Sequence, residues 1–345
     1  RHNIRLVPCP VRHLGTENAG PVLGAMHDYL VTKTNTTFLE LTSAEDILCE
    51  GGKVTGVKIH RRGHEPEIVY APYVVTAPGR GGAQWLSETV SKLGLRTQNN
   101  EVDIGVRVEV PNAIMDHLTR DLYEAKLVYY SDTYENKVRT FCMNPGGEVS
   151  QEYYEGGIAV VNGHSYEDPE KRTGNTNFAM LVSTQFTEPF NQPIEYGRYI
   201  AKLGNMLTGG PIMVQRLGDL LKGRRTDVKR LAKSTTIPTL STAVPGDLSF
   251  VLPARHLTSI VEALKAFDHL APGLYSQNTL LYGVEVKFYS SKVLVDSHME
   301  TAIKGLFAAG DMTGKPLQVA NAVGDGLVAA LAAVDYLDGV SPMTD

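Results

Sequence analysis

The sequence predicts an α/β chain: a domain built on parallel strands, interrupted by a long and mainly antiparallel α+β insert. Three observations predict it. Two compact apolar runs, Tyr73–Ala77 and Gly305–Ala309, each enter a corner rich in small residues, Pro78-Gly79-Arg80-Gly81-Gly82 and Gly310-Asp311-Met312-Thr313-Gly314. A helical pattern follows each corner, and apolar strand, small-residue turn and helix together mark a buried parallel sheet. Between the two, Val102–Val110 alternates apolar and polar residues, as an antiparallel strand with one solvated face does.

Taken in order, Ala19–Thr32 places Val22, Leu23, Met26, Tyr29 and Leu30 close to a 3.6-residue period and reads as a helix. Thr37–Thr42 reads as a strand. A three-stranded antiparallel meander follows, Ala44–Cys49, Val54–His60 and Glu67–Ala71, with hairpin chemistry at Glu50-Gly51-Gly52-Lys53. The first corner leads into a helix over Ala83–Leu93. The insert holds further β-like segments at Lys126–Tyr130, Val138–Cys142, Ile158–Asn162 and Ala179–Thr184, then helical pieces at Glu195–Leu207 and Val214–Leu221. A loop rich in Ser, Thr and Pro, Ser234–Pro245, precedes an amphipathic helix, Leu257–Leu270, and a strand, Thr279–Tyr289. The second corner and a helix over Ala322–Leu337 close the chain. The expected boundaries are residues 1–98 with 299–345 for the interrupted domain, and 99–298 for the insert.

At 345 residues the chain is long enough for two domains and a substantial core. Its net charge is −5, and Lys and Arg are dispersed apart from Lys222–Arg225 and Lys229–Lys233, which weighs against nucleic acid and against an anionic membrane surface. No apolar run approaches the ~20 residues of a membrane span. Cys9, Cys49 and Cys142 are far apart, odd in number and without CxxC spacing, which suits a reducing cytoplasm and offers no metal site. Neither a GxSxG elbow nor a His or carboxylate cluster with metal spacing occurs. A small-molecule substrate is the expected partner; oligomeric state is not legible.

The Gly305–Gly314 stretch resembles the second FAD-binding motif of the glutathione-reductase-like flavoproteins, a strand ending in Ala-Gly-Asp. Thr76-Ala77-Pro78-Gly79 stands where that family has Ala-Thr-Gly, with Pro replacing Thr. The resemblance implies an FAD/NAD(P)-binding Rossmann-like domain in which Asp311 accepts a hydrogen bond from a ribityl hydroxyl. It implies that the backbone around Gln318, Val319 and Ala320 faces the pyrimidine end of the flavin. Pro78, Gly79, Arg80, Gly310 and Met312 are further implied contacts, with Ala44 contacting the adenine through its backbone. Stretches of the insert (Val102–Val110, Arg139–Glu148, Val161–Ser165 and Leu281–Ser290), together with His13–Thr16, resemble a largely uncharacterised family of bacterial FAD-dependent dehydrogenases. That implies an FAD-dependent oxidoreductase passing a hydride between flavin N5 and an organic substrate or NAD(P)H.

One departure is large. These families carry a GxGxxG turn for the FAD pyrophosphate, and this sequence has none. Arg1–Pro10 has no start Met and no signal-peptide layout, so the expectation is a domain incomplete at its N-terminus, its first βαβ outside this sequence. A non-catalytic binding module lacking the pyrophosphate half is the competing reading, and a nicotinamide-only dehydrogenase a third. Each chemical candidate also has a bland alternative. The corners are ordinary turns, and Arg80 a solvated loop charge. Cys142 becomes a small buried residue in a turn-rich loop, and His164 a loop histidine. Lys287 with Glu285 becomes the solvated face of a sheet. No second Cys lies near Cys142, so a flavin–disulfide relay has no support.

Overall fold

The computed structural model describes residues 4–8, 14–79, 82–98, 102–154, 156–187, 189–190, 192–287, 292–313 and 319–338. It divides into two compact units, Arg1–Tyr29 with Glu101–Lys287, and Leu30–Asn100 with Phe288–Asp345. The N-terminal strand Ile4–Leu6 therefore groups with the insert, where it pairs with Leu127–Tyr130. A helix, Thr16–Lys33, follows it.

The smaller unit opens with an antiparallel meander of β1 (Thr42–Glu50), β2 (Lys53–Arg61) and β3 (Glu67–Tyr70). The strand expected over Thr37–Thr42 is absent: residues 37–41 are irregular and β1 begins at Thr42. Leu41 sits in a turn with φ of 53°, a left-handed conformation that ends an extended chain. β4 (Val74–Thr76) then leads through the first corner to α1 (Ala83–Lys92).

The larger unit is organised on an eight-stranded sheet. Its central strand, β5 (Val102–Pro111), pairs antiparallel with β8 (Asn175–Thr184) on one side and β9 (Leu280–Lys287) on the other. β6 (Lys137–Asn144) lies beyond β8, while β7 (Ile158–His164) forms a separate hairpin with Glu148–Tyr154. Met213–Arg216 continues the sheet next to β9, so the expected helix over Val214–Leu221 is corrected: only Leu217–Leu220 is helical. A short apolar run does not separate strand from helix by period alone, and pairing with β9 decides it. Helices α2 (Asn112–Leu122), α3 (Pro193–Thr208) and α4 (Ala254–Phe267), with the β7 hairpin, pack against the sheet.

Every residue of β5 from Val102 to Val110 is buried. The alternation read from the sequence is real, but its polar face, Asp103, Arg107 and Glu109, is internal rather than wet. Buried charges survive only when paired and hydrogen-bonded, so this face has to carry an organised network.

The chain then returns to the smaller unit. β10 (Leu306–Ala308) pairs parallel with β4, Leu306 opposite Val74 and Ala308 opposite Thr76. α5 (Val319–Leu337) follows and buries Ala329 and Ala333 against Phe307 and Met299.

Candidate functional site

Two adjacent parallel strands, β4 and β10, both end at small-residue corners, and the pairing brings those corners side by side. The Thr76 hydroxyl donates to the Phe307 carbonyl at 2.9 Å, and the Ala309 N–H donates to the Thr76 carbonyl at 3.0 Å. Past the strands, Gly79 has φ of 60° and Gly310 φ of 74°, a left-handed region that side chains disfavour. Among the described residues, a Cβ on Gly79 would meet nothing within 4 Å, and one on Gly310 only Ala322 at 3.9 Å. Both corners thus present glycine backbone beyond the carboxyl ends of parallel strands, where open α/β sheets hold ligands.

Beside the first corner lies a pocket of about 390 Å³, lined by Ala44, Ile47, Val57, Thr76, Pro78 and Trp85 among others. Its apolar walls come from the meander and from α1, with the Trp85 indole N–H donating to the Glu45 carbonyl at 3.2 Å. Such a slot suits a planar aromatic group such as a purine. The second corner is tied to α5: the Thr313 hydroxyl donates to the Asp325 carboxylate at 2.7 Å and to the Gly310 carbonyl at 2.9 Å.

Ala44 and Pro78 therefore meet in one pocket, and Gly79 and Gly310 flank it and its neighbouring corner. The Met312 side chain is buried with Leu86, Val90 and Val293, so only its backbone is left to face a ligand. Asp311 lies in the single turn Gly310–Thr313, and Val319 and Ala320 begin α5. The side chains of these three, and the whole of Arg80 and Gln318, lie outside the described residues. Sequence reasoning missed Trp85, Ile47 and Val57; only their apolar spacing on α1 and the meander marked them.

The larger unit holds a second constellation. Arg107, 0% exposed, donates from Nε to Glu285 Oε2 at 3.0 Å and from Nη1 to Asn177 Oδ1 at 2.9 Å. It also donates from Nη1 to the Cys142 carbonyl at 3.1 Å and from Nη2 to Asn162 Oδ1 at 3.3 Å. Lys287 Nζ lies 2.9 Å from Glu285 Oε1 and 5.8 Å from the centre of the Phe141 ring. Burial pushes the Glu285 carboxyl up, but Arg107 and Lys287 together outweigh it and hold the group below the usual carboxylate range. Glu285 and Lys287 are therefore not a solvated face.

Cys142 belongs to β6 rather than a loop, with φ of 49° and a half-buried side chain. Its N–H donates to Glu124 Oε1 at 3.1 Å. Burial pushes the Glu124 carboxyl up, and likewise the phenol of Tyr123, whose OH lies 2.8 Å from Ser165 Oγ. His164 ends β7, half-buried; the preceding Gly163 packs so closely that a Cβ there would lie 2.7 Å from Arg107 Nη1. Cys142, Lys287 and the β7 end carrying His164 are thus gathered around one guanidinium. Arg107, Glu124 and Tyr123 were missed by sequence reasoning, because only the fold shows a buried carboxyl and phenol beside the thiol. Among the described residues no group of three His, Cys, Asp or Glu is placed to hold a metal ion, and no helix is long and apolar enough to cross a membrane.

Comparison with known proteins adds to this geometry. The family described as FAD-dependent protein, C-terminal domain-like, matches residues 101–288, and the family described as glucose inhibited division protein A matches residues 241–341. An uncharacterized protein of Clostridium beijerinckii is 26% identical over 251 residues, 68% of this chain and 46% of its own length. Thioredoxin reductase of Ureaplasma parvum is 37% identical over 78 residues, 22% of this chain and 24% of that protein. The chain spans less than half the length of these relatives. Among solved structures, the glycerol-3-phosphate dehydrogenase from Bacillus halodurans complexed with FAD covers 88% of this chain and 40% of its own at a TM-score of 0.30 and 13% identity, values too low to bear weight. With more than half of its residues matched by the first of these families, the chain belongs to the FAD-dependent protein, C-terminal domain-like, family.

Proposed function

We propose that this chain serves an FAD-dependent oxidoreductase, holding the adenosine and ribityl ends of the cofactor in its smaller unit. The observation that carries the reading is the parallel β4–β10 pair, which sets two bare-backbone corners beside an apolar pocket. The residues present fit those parts of FAD: the slot between Ala44, Pro78 and Trp85 takes the adenine. Asp311, at the carboxyl end of β10, takes the ribityl hydroxyls, and the start of α5 at Val319 and Ala320 offers unpaired N–H groups and a positive dipole end to the pyrimidine. The pyrophosphate calls for a GxGxxG turn, which this sequence does not contain.

Bound FAD supplies hydride acceptance at N5, from an organic substrate or from NAD(P)H. The chain's own residues supply position and charge. In the larger unit, Lys287 and Arg107 sit against the Glu285 carboxylate in a dry setting, while burial pushes the Glu124 carboxyl beside Cys142 up. Cys142, His164 and Lys287 are the side chains we assign to the substrate. The cysteine pattern supports work in a reducing cytoplasm.

The test is the visible spectrum of the natural full-length protein. Flavin bands that are retained on desalting, and lost on desalting Asp311→Ala, are expected. A colourless protein that ignores added FAD overturns the reading and leaves a non-catalytic binding module.

A further inference from the structure

We propose that the segment 216–233 of the larger unit is a docking surface for a small acidic one-electron carrier protein. The segment holds seven cations, Arg216, Lys222, Arg224, Arg225, Lys229, Arg230 and Lys233, against two carboxylates, in a chain whose net charge is −5. Its inner layer is fixed. Asp219, 1% exposed, accepts from Arg224 Nε and from the Thr226 hydroxyl, each at 2.9 Å, and faces Arg216 Nη1 at 3.8 Å and Arg230 Nε at 4.0 Å. One buried carboxylate thus pins three guanidiniums and orders the loop from beneath. The outer layer is Lys222, Arg225, Lys229 and Lys233, all exposed, and none has an ion-pair partner among the described residues.

This arrangement selects the kind of partner. A stable obligate interface is more apolar, whereas small, electrostatically steered encounters are the mark of electron-transfer partners. Exposed apolar side chains in the patch are few: Leu221, Val228 and the nearby Ile237. No aromatic residue occurs between Arg216 and Leu240 for bases to stack on, which disfavours single-stranded nucleic acid. The inference rests on the oxidoreductase reading, since an oxidoreductase has two half-reactions and needs a second redox species. The two electrons of each hydride taken from the oxidised substrate pass one at a time to two carriers, which are reduced, and the hydride's proton is released to solvent.

The experiment measures binding of an acidic [2Fe–2S] ferredoxin to the natural full-length protein at low and at 300 mM salt, before and after incubation with FAD. Binding at low salt is expected to weaken at least ~10-fold in the variant K222E/R225E/K229E/K233E and on raising the salt. It should not change in K202E/K265E, which reverses two exposed lysines outside the patch. Because all four patch residues are exposed, the thermal melt should be unaltered. Absence of ferredoxin binding, binding indifferent to the four reversals, or tighter binding of a 20-nucleotide single-stranded RNA in the same buffer overturns the proposal. A protein that takes up no flavin yet binds ferredoxin through the patch overturns the cofactor reading and keeps the surface. A flavin-yellow protein that ignores ferredoxin does the reverse.

Discussion

Arg107→Met tests whether the buried network of the larger unit is a matched set. The guanidinium is 0% exposed and donates to Glu285, Asn177, Asn162 and the Cys142 carbonyl. Methionine fills most of the volume but leaves Glu285 with Lys287 alone, and removes the Arg107 hydrogen bond to Asn162 Oδ1. Breaking one partner of a buried pair costs about 3–5 kcal/mol, and the lost hydrogen bond to the half-buried Asn162 Oδ1 about 1 more. That total is of the order of a whole domain's stability, about 5–15 kcal/mol. Urea denaturation followed by circular dichroism, with amide exchange read over β5 and β9, should therefore show a severe loss. The double variant R107M/E285Q should lose at least ~1 kcal/mol less than the two single losses added together. The pH dependence carries a second signature. In the native protein the Glu285 carboxyl is held below its usual range, so its contribution is present at neutral pH and is lost as pH falls through that lowered pKa. Without Arg107, burial is opposed by Lys287 alone and the carboxyl titrates higher than in the native protein, so the variant's deficit should shrink between pH 7.5 and pH 5. A cost below ~1 kcal/mol, strict additivity, or a deficit that grows on acidification would refute the account.

Three further outcomes are expected. Gly310→Val forces a β-branched residue to φ of 74°, costing about 1–2 kcal/mol in a thermal melt and lowering flavin retention by intruding on the corner; retention equal to wild type would count against the corner as a ligand site. Trp85 is the sole tryptophan and lines the pocket, so titrating FAD or AMP should change its emission, and Ala44→Leu should block the change seen with AMP at Trp85 by filling the slot. His256 is buried against the Thr184 hydroxyl at 2.9 Å, and burial followed by the Arg255 charge lowers its pKa from 6.5 to about 4. Its neutral form is thus favoured by folding, giving stability that is full above pH 6.5 and falls by roughly 3 kcal/mol towards pH 4, a slope that His256→Leu should flatten in pH-dependent melts.

The two corners were legible because they rest on local rules: glycine where φ is positive and apolar runs in buried strands. The β1–β2–β3 meander was legible for the same reason, since hairpin chemistry at Gly51-Gly52 is local. What escaped depends on the third dimension. Alternation in β5 has one period whether its polar face meets water or a buried ion network, so Arg107 and Glu285 could not be distinguished from surface charges. The strand at Met213–Arg216 was read as helix because its partner, β9, lies more than sixty residues further along the chain. Trp85 was invisible as a pocket wall since nothing in the sequence places α1 over β1.

The β4–β10 pairing also bears on how the chain becomes ordered. Thr76 and Phe307 are joined by a hydrogen bond across 231 residues, a separation whose closure from an unfolded chain costs about 5 kcal/mol of entropy. Yet the intervening unit begins and ends on neighbouring strands, with Asp103 directly opposite Lys287. Once it has formed, the free chain between the corners shrinks to about 50 residues, and the closure cost falls by about 1.4 kcal/mol. The larger unit thus acts as a clasp, and the smaller one closes faster behind a folded insert than ahead of it.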